Sequence, residues 1–200
     1  MSTDRHAPPP AEGLRARKHR ETLARITDAG VSLFLEKGYQ ATTLDEIATA
    51  AGISRRTFFH YFKSKDDILL QLQSGMGKMI GEAVRRAPQD VRPLDAVRDA
   101  VLEICSAIPA HEMLALDRLM RSSDAVMARK QASYVEHENI LFEALRERWP
   151  EREKESALRL VALLGVGAVR LSTERLHLEN GERSLIDLLR EAFDTLRAEI

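Results

Sequence analysis

Cysteine is nearly absent from this 200-residue chain: a single residue, Cys105, excludes an internal disulfide and any cysteine-rich zinc site. The histidines, His6, His19, His60, His111, His137 and His177, contain no H-x-x-x-H pair, and His111-Glu112 lacks the second histidine of a metalloprotease helix. There is no glycine-rich phosphate loop and no nucleophile elbow, and Asp66-Asp67 suits a helix N-terminus better than a catalytic carboxylate pair. These gaps argue against an enzyme, and no catalytic residue, cofactor or metal is expected. No apolar run approaches the roughly 18 residues of a membrane span, and the opening MSTDRHAPPP has no apolar signal core. A cytoplasmic protein without a membrane partner is the expectation. No β-hairpin signal occurs either, which leaves an all-α fold.

What the chain does have is uneven charge. Residues 1–65 carry 11 Lys and Arg against 7 Asp and Glu, whereas residues 66–200 carry 19 against 24. A basic N-terminal third beside an acidic remainder fits one part that faces DNA and one that stays off it. The tail, placed at 1–14, holds three consecutive prolines and a glycine and is predicted to be disordered. Arg15, Arg17, Lys18, His19 and Arg20 then lead into a first helix. That run suits a phosphate-draping or minor-groove arm, and equally an ordinary solvated helix start.

The densest information lies in TTLDEIATAAGISRRTFFHYFKSKDDI, Thr42 to Ile68. Thr43 and Glu46 are spaced as a capping box, and Leu44, Ile47, Ala48 and Ala51 recur at helical spacing. Gly52 ends that helix with a left-handed turn, Ile53 plugs the angle, and Ser54 caps a second helix whose Phe58 and Phe62 share a core face. Arg55, Arg56, Thr57, Phe59, His60 and Tyr61 are left on the other faces. Arginine reads guanine in the major groove and an aromatic edge or Thr meets a thymine methyl, so the pattern is a DNA-reading helix-turn-helix. Ser64 is expected to cap the next helix, with Lys65 beside its start, in a position suited to a phosphate.

This segment resembles the DNA-binding domain of TetR-type transcriptional regulators, T-T-x-x-x-I-A-x-x-A-G-[IV]-S-x-x-T-[LF]-[YF]-x-[HY]-F-x-[SN]-K, through Thr42, Thr43, Ile47, Ala48, Ala51, Gly52, Ile53, Ser54, Thr57, Phe58, Phe59, Tyr61, Phe62, Ser64 and Lys65. Arg56 replaces a common glycine and Phe59 a common tyrosine, whose hydroxyl often meets a phosphate in that family. The resemblance implies a three-helix DNA-binding domain over 15–65 and a helical ligand-binding and dimerisation domain over 66–200. It also implies a small-molecule effector and a repressor working as a homodimer on a palindromic operator in double-stranded DNA. Loosely, the chain also resembles a subgroup with the Arg-Arg-Thr-Phe-Phe recognition helix that includes regulators sensing acyl-coenzyme A esters. No ligand follows from that.

Downstream, helices are predicted at about Asp66–Arg86, Leu94–Ile108 with Pro93 leading, Glu112–Met120, Asp124–Arg148, Glu151–Leu178 and Arg183–Glu199. Met76, Met79, Ile104, Ile108, Met113, Leu116, Met120, Met127 and Tyr134 are suited to a largely apolar cavity, although such a stripe is also what plain core looks like. Asp117, Arg121, Tyr134, His137, Glu138 and Asn139 are the polar candidates at that level. Leu158, Val161, Ala162, Gly165, Ala168, Val169 and Ser172 form a stripe of small residues open to close helix approach. Leu185, Leu188, Leu189, Ala192, Phe193 and Leu196 form a matching face on the last helix. By resemblance these two faces pair with a second copy; otherwise they pack within one subunit. Two rivals remain: a helical interaction module whose helix-turn-helix does not read DNA, and a redox sensor built on Cys105, which has no basic neighbour to activate it.

Overall fold

Residues 13–199 are described by a computed structural model, and every regular element among them is helical. The expected tail lies outside the described residues except for Gly13 and Leu14, and Leu14 already opens a helix. Helix α1 (Leu14–Lys37) supports α2 (Leu44–Ala50) and α3 (Arg55–Tyr61), and a long α4 (Asp66–Arg85) follows. Then come α5 (Pro93–Ser106), α6 (Ala110–Met120), α7 (Asp124–Arg148), a 3-10 turn at Arg152–Lys154, α8 (Glu155–Leu178) and α9 (Leu185–Glu199).

Local chemistry sets most of these boundaries. The Thr43 hydroxyl accepts the Glu46 N–H at 3.3 Å while Glu46 Oε2 accepts the Thr43 N–H at 2.9 Å, closing the capping box on α2. Gly52 sits at φ +65°, in the left-handed region open to glycine. Ser54, Ser123 and Ser184 each accept the N–H three residues on, and Pro93 takes the first position of α5, where its missing N–H costs nothing. Ser64 does not cap α4. The Asp67 carboxylate does the local work by accepting the Lys63 N–H at 2.8 Å. Helix α6 starts two residues before the expected Glu112, directly after Pro109.

Two apolar clusters form. The first joins α1, α2 and α3 around Ile26, Phe34, Ile47, Phe58 and Phe62, but it also takes in Ile68 and Leu69 of α4, Leu119 and Met120 of α6, and Val126 of α7. The boundary at Lys65 therefore divides the chain but not the core. Truncating a buried phenylalanine such as Phe58 would remove about 3–5 kcal/mol, enough to unfold a domain this small. The second cluster packs α4, α5, α7, α8 and α9 around Val84, Val97, Leu145, Ala162, Leu189 and Phe193.

That second cluster corrects the dimer expectation. Leu158, Ala162, Leu185, Leu189 and Phe193 are buried against their own chain, and a Cβ on Gly165 would stand 2.8 Å from Val97 Cγ1 of α5. Val169 faces inward too, toward the cavity described below. The small residues admit α5 and α7 rather than a second copy. What α8 leaves exposed is another stripe, Leu160, Leu163 and Leu171, with open space around Gly167 between them. Apolar on both faces, the segment Arg152–Leu178 is long and apolar enough to cross a membrane by length and composition, although Arg159 and Arg170 interrupt its continuous apolar run. Such a helix also serves as a core helix with one uncovered side.

Candidate nucleic-acid interface and candidate ligand cavity

Helix α3 buries Phe58 and Phe62 and presents Arg55, Arg56, Phe59 and His60 outward, as its spacing predicts. Phe59 is 47% exposed, which is unusual for an aromatic residue without a partner surface. Arg55 Nη1 is held 2.8 Å from Asp45 Oδ2 of α2, and its guanidinium stands 5.7 Å from the Phe59 ring centre. The arginine is thus oriented by α2. Thr57 is half-buried, and its hydroxyl shares a 2.8 Å hydrogen bond with Ser54. Tyr61 is half-buried too, its ring stacked on His19 of α1 at 4.8 Å. Through that stack the basic start of α1, itself helical from Leu14, lies beside the recognition helix.

Thr43 and Lys65, both candidates for contact with DNA, are already engaged internally. The exposed Thr43 hydroxyl is part of the capping box, donating to Glu46 Oε2 at 3.0 Å. Lys65 Nζ donates to the carbonyls of Tyr39 at 2.6 Å and Thr42 at 3.3 Å, and sits 4.3 Å from the Tyr39 ring centre. Burial there holds its pKa below the usual lysine value. The ammonium ties the α1–α2 loop to the start of α4 instead of standing free for a phosphate. Tyr39 completes the knot by donating its hydroxyl to Asp66 Oδ1.

Between α4, α5, α6, α7 and α8 lies a cavity of about 170 Å³. Met76, Met113, Leu116, Met120 and Tyr134 line it, as expected from the sequence. Met79 does not: it is on the outer face of α4 and 49% exposed. Ile104 and Ile108 are half-buried on faces of α5 and its end that do not line the cavity, and Met127 likewise lies off it. Gly165, Val169 and Leu185, assigned by sequence to a dimer face, form part of the wall instead. Leu72, Leu116 and Met120 belong to the wall and also pack into the cluster beneath the helix-turn-helix.

The polar lining is richer than the sequence suggested. Asp117 and His137 contribute, but so do Gln73, Lys130 and Thr173. Asp117 is 7% exposed and accepts from Arg121 Nε at 3.0 Å; His177 Nδ1 lies 3.4 Å from the same carboxylate. Lys130 is 8% exposed, with Nζ 3.8 Å from Asp117 Oδ1, and burial pulls its pKa down. Burial also lowers the His137 pKa. Asn139 points elsewhere and accepts from Arg159 at 2.9 Å; Glu138 is half-buried and off the cavity. A signal for Lys130 was present: residues 130, 134, 137 and 141 follow helical spacing, and all four line the cavity. Cys105 is in the wall as well, its thiol pushed up to about 11 by burial, so it stays protonated and unreactive near neutral pH.

Residues 26–72 match the model of the bacterial regulatory proteins of the tetR family, and residues 91–200 match that of the MftR C-terminal domain. The chain is 32% identical over 109 residues to the HTH-type transcriptional regulator TcmR of Streptomyces glaucescens, covering 54% of this chain and 48% of that protein. It is 41% identical over 59 residues to the putative mycofactocin biosynthesis transcriptional regulator MftR of Mycobacterium tuberculosis, 30% of each. The matches thus span about half the length of such curated relatives, or less. Among solved structures, Thermus thermophilus FadR in complex with lauroyl-CoA is 27% identical with a TM-score of 0.55, over 87% of this chain and 92% of that one. SmeT, the repressor of the Stenotrophomonas maltophilia multidrug efflux pump SmeDEF, is 19% identical with a TM-score of 0.62, over 88% and 89%, a likeness of fold.

Proposed function

From the membership of this chain in the TetR family of bacterial regulatory proteins, we propose that it is a ligand-responsive repressor that binds a palindromic operator as a homodimer in the cytoplasm. The observation that carries this reading is the exposed face of α3, where Arg55, Arg56, Phe59 and His60 project from a helix fixed by two caps and two buried phenylalanines. Arginines at the start of a recognition helix reach guanine edges, and the stacked α1 start brings positive charge to the flanking phosphates.

Two copies are required to read a palindrome, with their recognition helices roughly 34–36 Å apart. The exposed stripe Leu160, Leu163 and Leu171 on α8 supports the pairing, because Gly167 lets a second helix approach between these leucines. The cavity supplies the effector site. An effector that fills it would press on Leu72, Leu116 and Met120, which also pack beneath the reading head. Induction requires the effector to bind the form that cannot span the operator more tightly than the form that can; equal affinity would shift nothing.

The deciding experiment is selection of bound sequences from random duplex DNA at near-physiological salt. Enrichment of an inverted repeat supports the reading. Failure to enrich any sequence, with folded protein, would favour an interaction module instead.

A further inference from the structure

The charges around the cavity do not balance. Asp117 is paired with Arg121 at 3.0 Å, and Glu174, the other carboxylate near Lys130, is paired with Arg170 at 3.1 Å. Each carboxylate therefore has its own guanidinium, and the Lys130 ammonium is left with the weaker share of Asp117, in a wall where apolar side chains surround Gln73, Asp117, His137 and Thr173. Its ion pair to Asp117 spans 3.8 Å, beyond hydrogen-bonding distance. A largely buried cation held only by one long ion pair is costly, and a methionine of similar length would pack there at least as favourably. A second polar atom in the same wall is also unmatched: Gln73 Oε1 is buried with no hydrogen-bond partner.

We propose that the cavity binds a small amphipathic carboxylic acid, with its carboxylate on Lys130 and its apolar tail among Met76, Met113 and Val169. This deepens the effector-site reading and rests on it. The volume suits a short alkyl chain or a single ring, since an engineered apolar cavity of about 150 Å³ takes benzene. The carboxylate completes the charge set, gives Lys130 the hydrogen bonds it lacks, and regains in a water-poor site much of what burying the ammonium costs. The Gln73 amide, with its orientation reversed, offers N–H donors to an acceptor on the ligand. Asp117 sits on α6 and Lys130 on α7, so a carboxylate that draws the ammonium away from Asp117 loosens a charged link between these helices at the cavity.

The test is calorimetric titration of the purified protein with the straight-chain acids from hexanoate to dodecanoate, their matched alcohols and octanoyl-coenzyme A, on the wild type and on Lys130→Met. At least one acid should bind the wild type more tightly than its alcohol by roughly tenfold or more, the usual value of a hydrogen bond to a charged group. In Lys130→Met the acid and the alcohol should bind alike, and its Tm should equal or exceed that of the wild type, which rules out misfolding as the cause. No binding by any acid, an alcohol that matches its acid in the wild type, or an acid preference that survives Lys130→Met would each overturn the proposal. Octanoyl-coenzyme A binding that is tighter than octanoate and indifferent to Lys130→Met would also overturn it, in favour of a neutral thioester. These titrations contain no DNA, so their failure and a failure to select an operator are separate results.

Discussion

Asp67 Oδ1 lies 2.6 Å from Arg129 Nη1, while Asp67 Oδ2 accepts the Lys63 N–H at 2.8 Å. One carboxylate thus holds the residue just past the recognition helix and, with its other oxygen, the helix α7 whose inner face lines the cavity. Burial pushes this carboxyl up, but the Arg129 guanidinium and the Lys63 and Ser64 N–H groups outweigh it and hold its pKa below the ordinary value. The carboxylate thus links helix α7, which lines the cavity, to the segment that follows α3.

Arg129→Ala should therefore cost little stability, under about 1 kcal/mol, because the arginine is largely solvent-exposed. Its effect should be on coupling: the change in operator affinity on adding effector should shrink. Fluorescence anisotropy on labelled operator, with and without effector, measures this. An unchanged response with Arg129→Ala would show that the path runs elsewhere.

The recognition-helix arginines and Lys65 should differ in kind. Arg56→Ala should relax sequence preference at one base pair per half-site by about 1–3 kcal/mol. Asp45→Ala, which frees Arg55 from its 2.8 Å restraint, should broaden preference at one further base pair per half-site if Arg55 contacts a base as proposed. Lys65→Ala should lower the melting temperature, because it strips donors from the Tyr39 and Thr42 carbonyls, and should weaken specific and random DNA together. Competition binding with permuted operators separates these outcomes; a base-specific loss in Lys65→Ala would contradict its role as a tether.

The two faces of α8 make opposite predictions. Leu163→Glu with Leu171→Glu should yield a helical, folded monomer by light scattering. Gly165→Leu should instead destabilise each subunit by roughly 1–3 kcal/mol through overpacking, since even its Cβ would press Val97 at 2.8 Å. A dimer that survives both glutamates would place the subunit contact on another surface.

The capping box gives a pH signature. Hydrogen bonds from Lys37 and from the Thr43 N–H and hydroxyl lower the Glu46 pKa from 4.5 to about 2. A carboxyl whose folded value is depressed stabilises the fold above its unfolded value and loses that contribution as pH falls through the folded one. The α2 cap should thus weaken between about pH 4.5 and about pH 2. NMR titration of the Glu46 side chain should show that low midpoint, and Glu46→Gln should remove this component of the acid transition. A Glu46 midpoint near 4.5 would mean that the box is open in solution.

The helix-turn-helix was legible because caps and turns are local: Thr43, Glu46, Gly52 and Ser54 satisfy or turn backbone within a few residues of themselves. The faces of α8 were not, because both are apolar, with Leu160, Leu163 and Leu171 on one side and Leu158, Ala162 and Gly165 on the other. Small residues announce close approach without naming the approaching helix, and here that helix is α5 of the same chain. The cavity was half legible. Methionines on α4 and α6 stood out, whereas Lys130 reads as surface until its spacing with Tyr134 and His137 is followed along α7. Met79 and Ile104 have the right chemistry on the wrong sides of their helices, and Ile108 lies just past the end of α5, off the cavity.

Leu72, Leu116 and Met120 stand at once in the wall of the cavity and beneath the DNA-facing helices. The consequence is that the reading head is not a transplantable part. A chimera joining residues 13–65 to a foreign helical domain would lack the floor that α4, α6 and α7 supply, so simple fusion is expected to leave the helix-turn-helix unsupported. On the proposed function, new specificities would arise by substitution on the outward face of α3 and the inward face of α7, with the shared floor kept intact.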